Sequence, residues 1–205
     1  MPTLITAGDA TTGLVQTAAS DGALNIQTGP AGSKVNAIAL SSAGGATFSQ
    51  ITGGALTLAT AQATTSGTNI DFTGIPSWVK RITLMLNGVS TNGTSALLAQ
   101  VGAGSITTSG YNSMAFTNAT LGTSTAGFLI TQAVSAALNQ YGAYTINLFG
   151  SNTWILQGVG YQSPSFGAPA AGQIALAGTL DRLRLTTVAG TDAFDAGSVN
   201  IMYEG

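Results

Sequence analysis

Trp78-Val79-Lys80-Arg81-Ile82-Thr83-Leu84-Met85-Leu86-Asn87-Gly88-Val89 is the stretch on which the fold class turns. Its residues alternate. In an extended chain Trp78, Ile82, Leu84 and Leu86 share one side, and Val79, Arg81, Thr83, Met85 and Asn87 share the other. A period of two, carried by branched and long apolar residues, marks a strand with one buried face. Asn92-Gly93 follows. That dipeptide is the strongest short hairpin signal, because both residues accept positive φ. Ser95 to Val101 reads as the returning strand.

Downstream the same pattern recurs between turn residues. The segments are Tyr111 to Phe116, Gly127 to Gln132, Tyr141 to Phe149, Thr153 to Tyr161, Gln173 to Leu180, Arg182 to Val188 and Ser198 to Tyr203. Short strands at regular spacing indicate a β-sandwich or jelly roll. The expectation is an all-β chain, with about eight or nine strands in a domain spanning residues 66–205. Thr131 to Leu138 is the one helix-like stretch, short and uncapped.

Residues 1–65 differ in kind. Of fourteen aromatic residues only Phe48 lies there, so this region has little with which to fill a core of its own. Its apolar groups are Leu14-Val15, Leu24/Ile26, Val35/Ile38/Leu40, Ile51 and Leu56/Leu58, separated by glycine and small polar residues. They read as strands of about three to six residues with tight turns between them. Side-by-side copies of the chain could bury what one copy cannot. The alternative is a flexible leader rich in alanine and glycine. Ala61 to Gly67 reads as a short small-residue linker.

Charged residues make up 6% of the chain, where about 25% is usual. A polar but nearly uncharged surface suits close packing between identical chains. The five basic residues form no stripe, so no nucleic acid is expected as partner. No apolar run approaches the ~18 residues of a membrane-spanning helix, so no membrane insertion is expected. Met1-Pro2-Thr3-Leu4 opens no visible secretory signal.

The chain has no histidine and no cysteine. Imidazole triads, Cys–His pairs and the common zinc sites are thereby excluded. No catalytic, cofactor-binding or metal residues are assigned. Asp192 and Asp195 are the nearest acidic pair in sequence. They read first as turn or strand-cap residues, with a calcium site or a catalytic pair as alternatives. Asp71 is expected to pair with Lys80 or Arg81. Arg182 and Arg184 share one strand face opposite Leu183 and Leu185. That face is either solvated or intersubunit, or else it captures an anionic surface sugar. Trp78 and Trp154 read as core residues inside strands. Tyr161 and Phe166 flank a loop, 162–169, that Pro164 and Pro169 stiffen. An aromatic on such a loop is a platform for a sugar ring. Tyr161, Phe166, Arg182 and Arg184 are therefore the surface-contact candidates.

Two segments carry a resemblance: Thr65 to Ser95, which includes Asn69-Ile70-Asp71-Phe72-Thr73-Gly74-Ile75-Pro76, and Leu183 to Ile201, which includes Ala189-Gly190-Thr191-Asp192-Ala193-Phe194-Asp195. Both resemble a family of β-rich phage and prophage proteins of the tail-fibre-like kind. Thr11 to Gln50 is similar to segments near phage fibre attachment regions. The resemblance implies a non-enzymatic virion component, assembled in a bacterial cytoplasm, without cofactor, and homotrimeric. Residues 1–65 would attach it to a tail adaptor or to the major capsid protein, as a fibre, a spike or a head-decoration protein. Its sandwich would face the host and could meet a cell-surface glycan.

Overall fold

A computed structural model describes residues 56–132, 135–136, 138–163 and 166–205, together with four strand segments before them. The chain divides into two compact units, Met1–Thr52 and Gly53–Gly205. The first unit contains β1 (Val15–Ala18), β2 (Leu24–Thr28), β3 (Val35–Leu40) and β4 (Ala46–Thr47). They form an antiparallel sheet in sequence order, with Ile26 opposite Ile38 and Leu24 opposite Leu40. The apolar groups at 15, 24–26 and 35–40 thus fall within strands. Ile51 and the turns at 20–22 and 41–45 lie outside the described residues.

The second unit is built from β5 (Thr57–Leu58), β6 (Gln62–Ala63), β7 (Ile70–Thr73), β8 (Arg81–Thr91) and β9 (Leu97–Ala103). Then come β10 (Ser105–Ile106), β11 (Asn112–Thr117), β12 (Thr120–Ser124), β13 (Phe128–Leu129) and β14 (Gln140–Gly150). Next are β15 (Thr153–Gln162), β16 (Phe166–Ala175), β17 (Arg182–Thr187) and β18 (Phe194–Glu204). A nine-stranded sheet runs β12-β11-β16-β15-β14-β8-β18-β5, with β6 also on β18. A five-stranded sheet runs β10-β9-β17-β7, with β13 also on β9. Every pairing in it is antiparallel.

The two sheets pack as a sandwich. Alternation dictates which side chains meet. Ile82, Leu84 and Leu86 of β8, Ile146 of β14, Trp154 and Leu156 of β15, and Val199 and Ile201 of β18 point inward from the large sheet. Ile70 and Phe72 of β7, Leu97, Ala99 and Val101 of β9, Phe128 of β13, and Leu183 and Leu185 of β17 belong to the same core from the small one. Tyr111 stands edge-on to Phe128, with ring centroids 5.0 Å apart. Its hydroxyl accepts the Val101 N–H at 2.8 Å and lies 3.0 Å from the Thr107 carbonyl, to which it can donate. The Leu129 N–H donates to Ser113 Oγ at 2.7 Å, tying β13 to β11 across the sandwich.

Tyr144 fills the centre because β15 leaves room for it. A Cβ on Gly158 would lie 2.7 Å from the Tyr144 Cα, and one on Gly160 would lie 2.2 Å from the Tyr144 hydroxyl oxygen. The ring therefore occupies the space two side chains would take, and its hydroxyl donates to the Ala168 carbonyl at 3.1 Å.

Several sequence expectations change. The large sheet begins before residue 66, because Met202 pairs with Leu58 and Val199 with Gln62. Ala61–Gly67 is part of that edge rather than a free linker. Thr64 is fully buried, its N–H donating to the Gly197 carbonyl and its hydroxyl to the Ala196 carbonyl. Asn92-Gly93 does not close a hairpin. It carries the chain from β8 in the large sheet to β9 in the small one. Type I′ geometry is used instead at Asn118-Ala119 and Ser151-Asn152, where both residues of each pair have positive φ.

The segment 166–169 is strand and not loop. Val159 faces Pro169 in the β15–β16 register. Pairing of β16 with β11 stops at Ala115–Ala170, so Pro169 has a strand on one side only and its missing N–H breaks no ladder there. Trp78 precedes β8 and lies half-buried against Tyr203, at 5.9 Å between ring centroids. Leu138 donates its N–H to the Ser135 carbonyl in a turn where the helix-like stretch was expected.

Candidate functional site

The arginines on β17 are committed to partners. Arg184 forms a two-pronged pair with Asp71, its register neighbour on β7, through Nε and Nη2 at 2.7 Å each. Arg182 makes the same kind of pair with Asp181, at 2.7 and 3.0 Å. The Arg182 guanidinium, helped by the Gly104 N–H, holds the Asp181 carboxyl below the usual carboxylate range. The matching hydrogen bonds raise both guanidiniums further. This face thus offers an anion two cations that are already neutralised. Asp71 was expected to pair with Lys80 or Arg81, but Arg81 pairs with Glu204 across β8 and β18.

Asp192 acts as a cap. Its carboxylate accepts the Ser95 N–H at 2.8 Å. It sits over Gly93, where a Cβ would lie 2.1 Å from its Oδ2. Asn92 and Ala193 exchange two hydrogen bonds of 2.9 Å beside it. The Asn-Gly pair is therefore needed to seat an aspartate, not to turn a hairpin. Asp195 is exposed at the start of β18. Among the described residues, three of the five carboxylates are in ion pairs and no cluster of three metal-ligating side chains occurs. A shallow cleft of about 360 Å³ runs beside Gln62, Asp71, Thr73 and Tyr203, and its one carboxylate is the Arg184 partner.

Tyr161 and Phe166 lie at the β15–β16 turn, Tyr161 exposed and Phe166 half-buried. Tyr141, unremarked in the sequence, stands opposite Tyr161 with ring centroids 6.2 Å apart. These two tyrosines are one corner of a larger feature, the outer face of the nine-stranded sheet.

Register assembles that face row by row. One row is Leu58, Met202, Thr83, Thr145, Gln157, Ala171, Met114 and Thr123. The next is Asn200, Met85, Ala143, Val159 and Pro169. Val159 is 65% exposed and Leu58 63%, and Met114, Phe116, Leu121 and Ile155 are exposed as well. Arg81 and Glu204 mark one end of the face, and no charged residue stands in either of these rows. Strand alternation alone could have given each outward residue. Its neighbours required the register, which no sequence signal supplied.

The fold is an all-β, open two-sheet sandwich. No family model, no curated protein and no solved structure matches the chain.

Proposed function

We propose that the chain is a non-enzymatic structural protein of a bacteriophage particle, a short homotrimeric fibre or spike. Its N-terminal unit would hold the particle, through a tail adaptor or the major capsid protein, and its sandwich would project toward the host. The observation that carries the structural part of this reading is the broad outer face of the large sheet, whose two central rows carry no charged residue. Val159, Leu58, Met114, Phe116, Leu121 and Ile155 are exposed on it, and exposed apolar side chains grouped on one face mark interaction surfaces. Of the five described acids, Asp71, Asp181 and Glu204 are held by arginines and Asp192 by a backbone N–H, which supports a non-catalytic role, and Asp195 is exposed. The phage assignment rests on the resemblance of Thr65–Ser95 and Leu183–Ile201. These segments contain β7 with β8 and β17 with β18, and they are hydrogen-bonded to each other as β7–β17 and β8–β18. The resembling residues therefore form contiguous parts of both sheets.

Antibody labelling of intact particles tests the proposal. Label on the tail is the expected result. Label on the shell would make the protein a capsid decoration, and absence from particles would overturn the virion reading. Purified protein offered to host cells and to their surface polysaccharide tests the glycan contact assigned to Tyr161 and Phe166. Cleavage of the polysaccharide would overturn the non-enzymatic reading.

A further inference from the structure

The outer face of the large sheet has the extent of an interface. The five long strands β16, β15, β14, β8 and β18, at ~4.8 Å spacing and about nine residue steps of ~3.4 Å, give a plan area of roughly 600 Å², which β11 and β12 extend. A standard interface buries about 800 Å² per partner once side-chain relief is included. The face also has the chemistry of a contact between identical chains. Its central rows hold methionine, valine, leucine, alanine, proline, threonine, glutamine and asparagine, without a charge. A partner bearing charges would have to strip water from them with nothing here to pair them. An identical face brings no such penalty. Relief is present in both senses. Val159 and Met114 are exposed, and Val159 forms one wall of a groove of about 420 Å³ that Ala143, Thr145 and Gln157 also line. The outward side of β17 and β7 is different, for there both half-buried arginines are held by aspartates.

We infer that this face is the surface through which copies of the chain associate, a deduction that rests on the homo-oligomer proposed above. The occupant is a second copy of the same chain. Val159 lies near the middle of the contact, and Met114 lies toward the β11 side.

Light scattering and sedimentation on the full chain test it, with wild type, Val159→Arg, Met114→Lys and Val188→Arg. Val188 is also exposed but follows β17 in the other sheet, so it is the control. Wild type and Val188→Arg should sediment as oligomers. An unpaired charge buried at the contact should weaken association at least about 100-fold in Val159→Arg and Met114→Lys. Both should then run as folded monomers. Because the chain has no cysteine, Val159→Cys adds a measurement that leaves the fold undisturbed. A short bismaleimide should cross-link it between chains and should not cross-link Val188→Cys. If wild type is an oligomer while Val159→Arg keeps its mass and Val159→Cys resists cross-linking, the interface lies elsewhere and the homo-oligomer stands. If wild type is itself a monomer at micromolar concentration, the homo-oligomer fails and the interface with it.

Discussion

Gly160→Ala places a methyl 2.2 Å from the Tyr144 hydroxyl oxygen and 2.8 Å from the Tyr141 carbonyl oxygen. Tyr144 cannot swing aside, since it is 1% exposed and its hydroxyl lies 3.1 Å from the Ala168 carbonyl. Overpacking of this kind should cost about 2–3 kcal/mol. Removing glycine from the unfolded chain offsets only about 0.4–1 kcal/mol. Tyr144→Phe alone loses the hydroxyl's hydrogen bond to the Ala168 carbonyl, a loss of about 1 kcal/mol. The two changes act on one atom. With phenylalanine at 144 the obstructing hydroxyl is gone, and the nearest ring carbon is 3.1 Å from the new methyl. The double mutant should therefore fall short of the summed losses by about 1 kcal/mol or more. Urea unfolding followed by tryptophan fluorescence measures all three variants, with chain concentration held fixed because association shifts the midpoint. Additivity within ~0.3 kcal/mol would refute the packing of Tyr144 over Gly160.

Trp154→Ala empties a site that is 2% exposed and should cost about 3–5 kcal/mol by the same assay. Gln162 is fully buried and neither of its carboxamide atoms has a hydrogen-bond partner among the described residues, so Gln162→Met should leave stability unchanged or raise it by about 1 kcal/mol. Burial pushes the Tyr111 phenol up to about 12 and raises Tyr144 as well. Both are raised above the unfolded value near 10, so their stabilisation is complete below about pH 10 and is lost as pH rises through about 12. The urea midpoint should accordingly hold up to about pH 10 and fall between about pH 10 and pH 12. Limited proteolysis should release a resistant fragment starting between residues 53 and 57. A stable fragment starting near Thr68 would mean that β5 and β6 are not held on β18.

The strand content was legible because it depends on local alternation. Ile82, Leu84 and Leu86 turn inward and Arg81, Thr83 and Met85 outward, as period two requires. Trp154 is core for the same reason. What a strand pairs with is set by distant residues, and there the local signals failed. Asn92-Gly93 has the composition of a hairpin, yet β8 already has β14 and β18 beside it and Asp192 occupies the space over Gly93. Pro169 looked like a barrier to a strand, because the end of β11 that spares it lies some fifty residues earlier in the chain. The same gap explains the arginines. Their shared face followed from spacing, whereas the Asp71 partner of Arg184 depended on a β7–β17 register spanning 113 residues.

The junction of β5 with β18 governs how the sandwich responds to force. Thr57 faces Tyr203 and Leu58 faces Met202, so residues 56 and 205 lie at the same end of the β5–β18 ladder. Tension between those two points acts across the short β5–β18 ladder rather than along it. Its hydrogen bonds then open singly, like a zip, starting at Thr57, and not all together as in shear. Load carried through the first unit would strip β5 early, and β6 after it, while the Arg81–Glu204 pairing of β8 with β18 stayed closed. The sandwich would thus give up two short strands as slack before its core felt the pull.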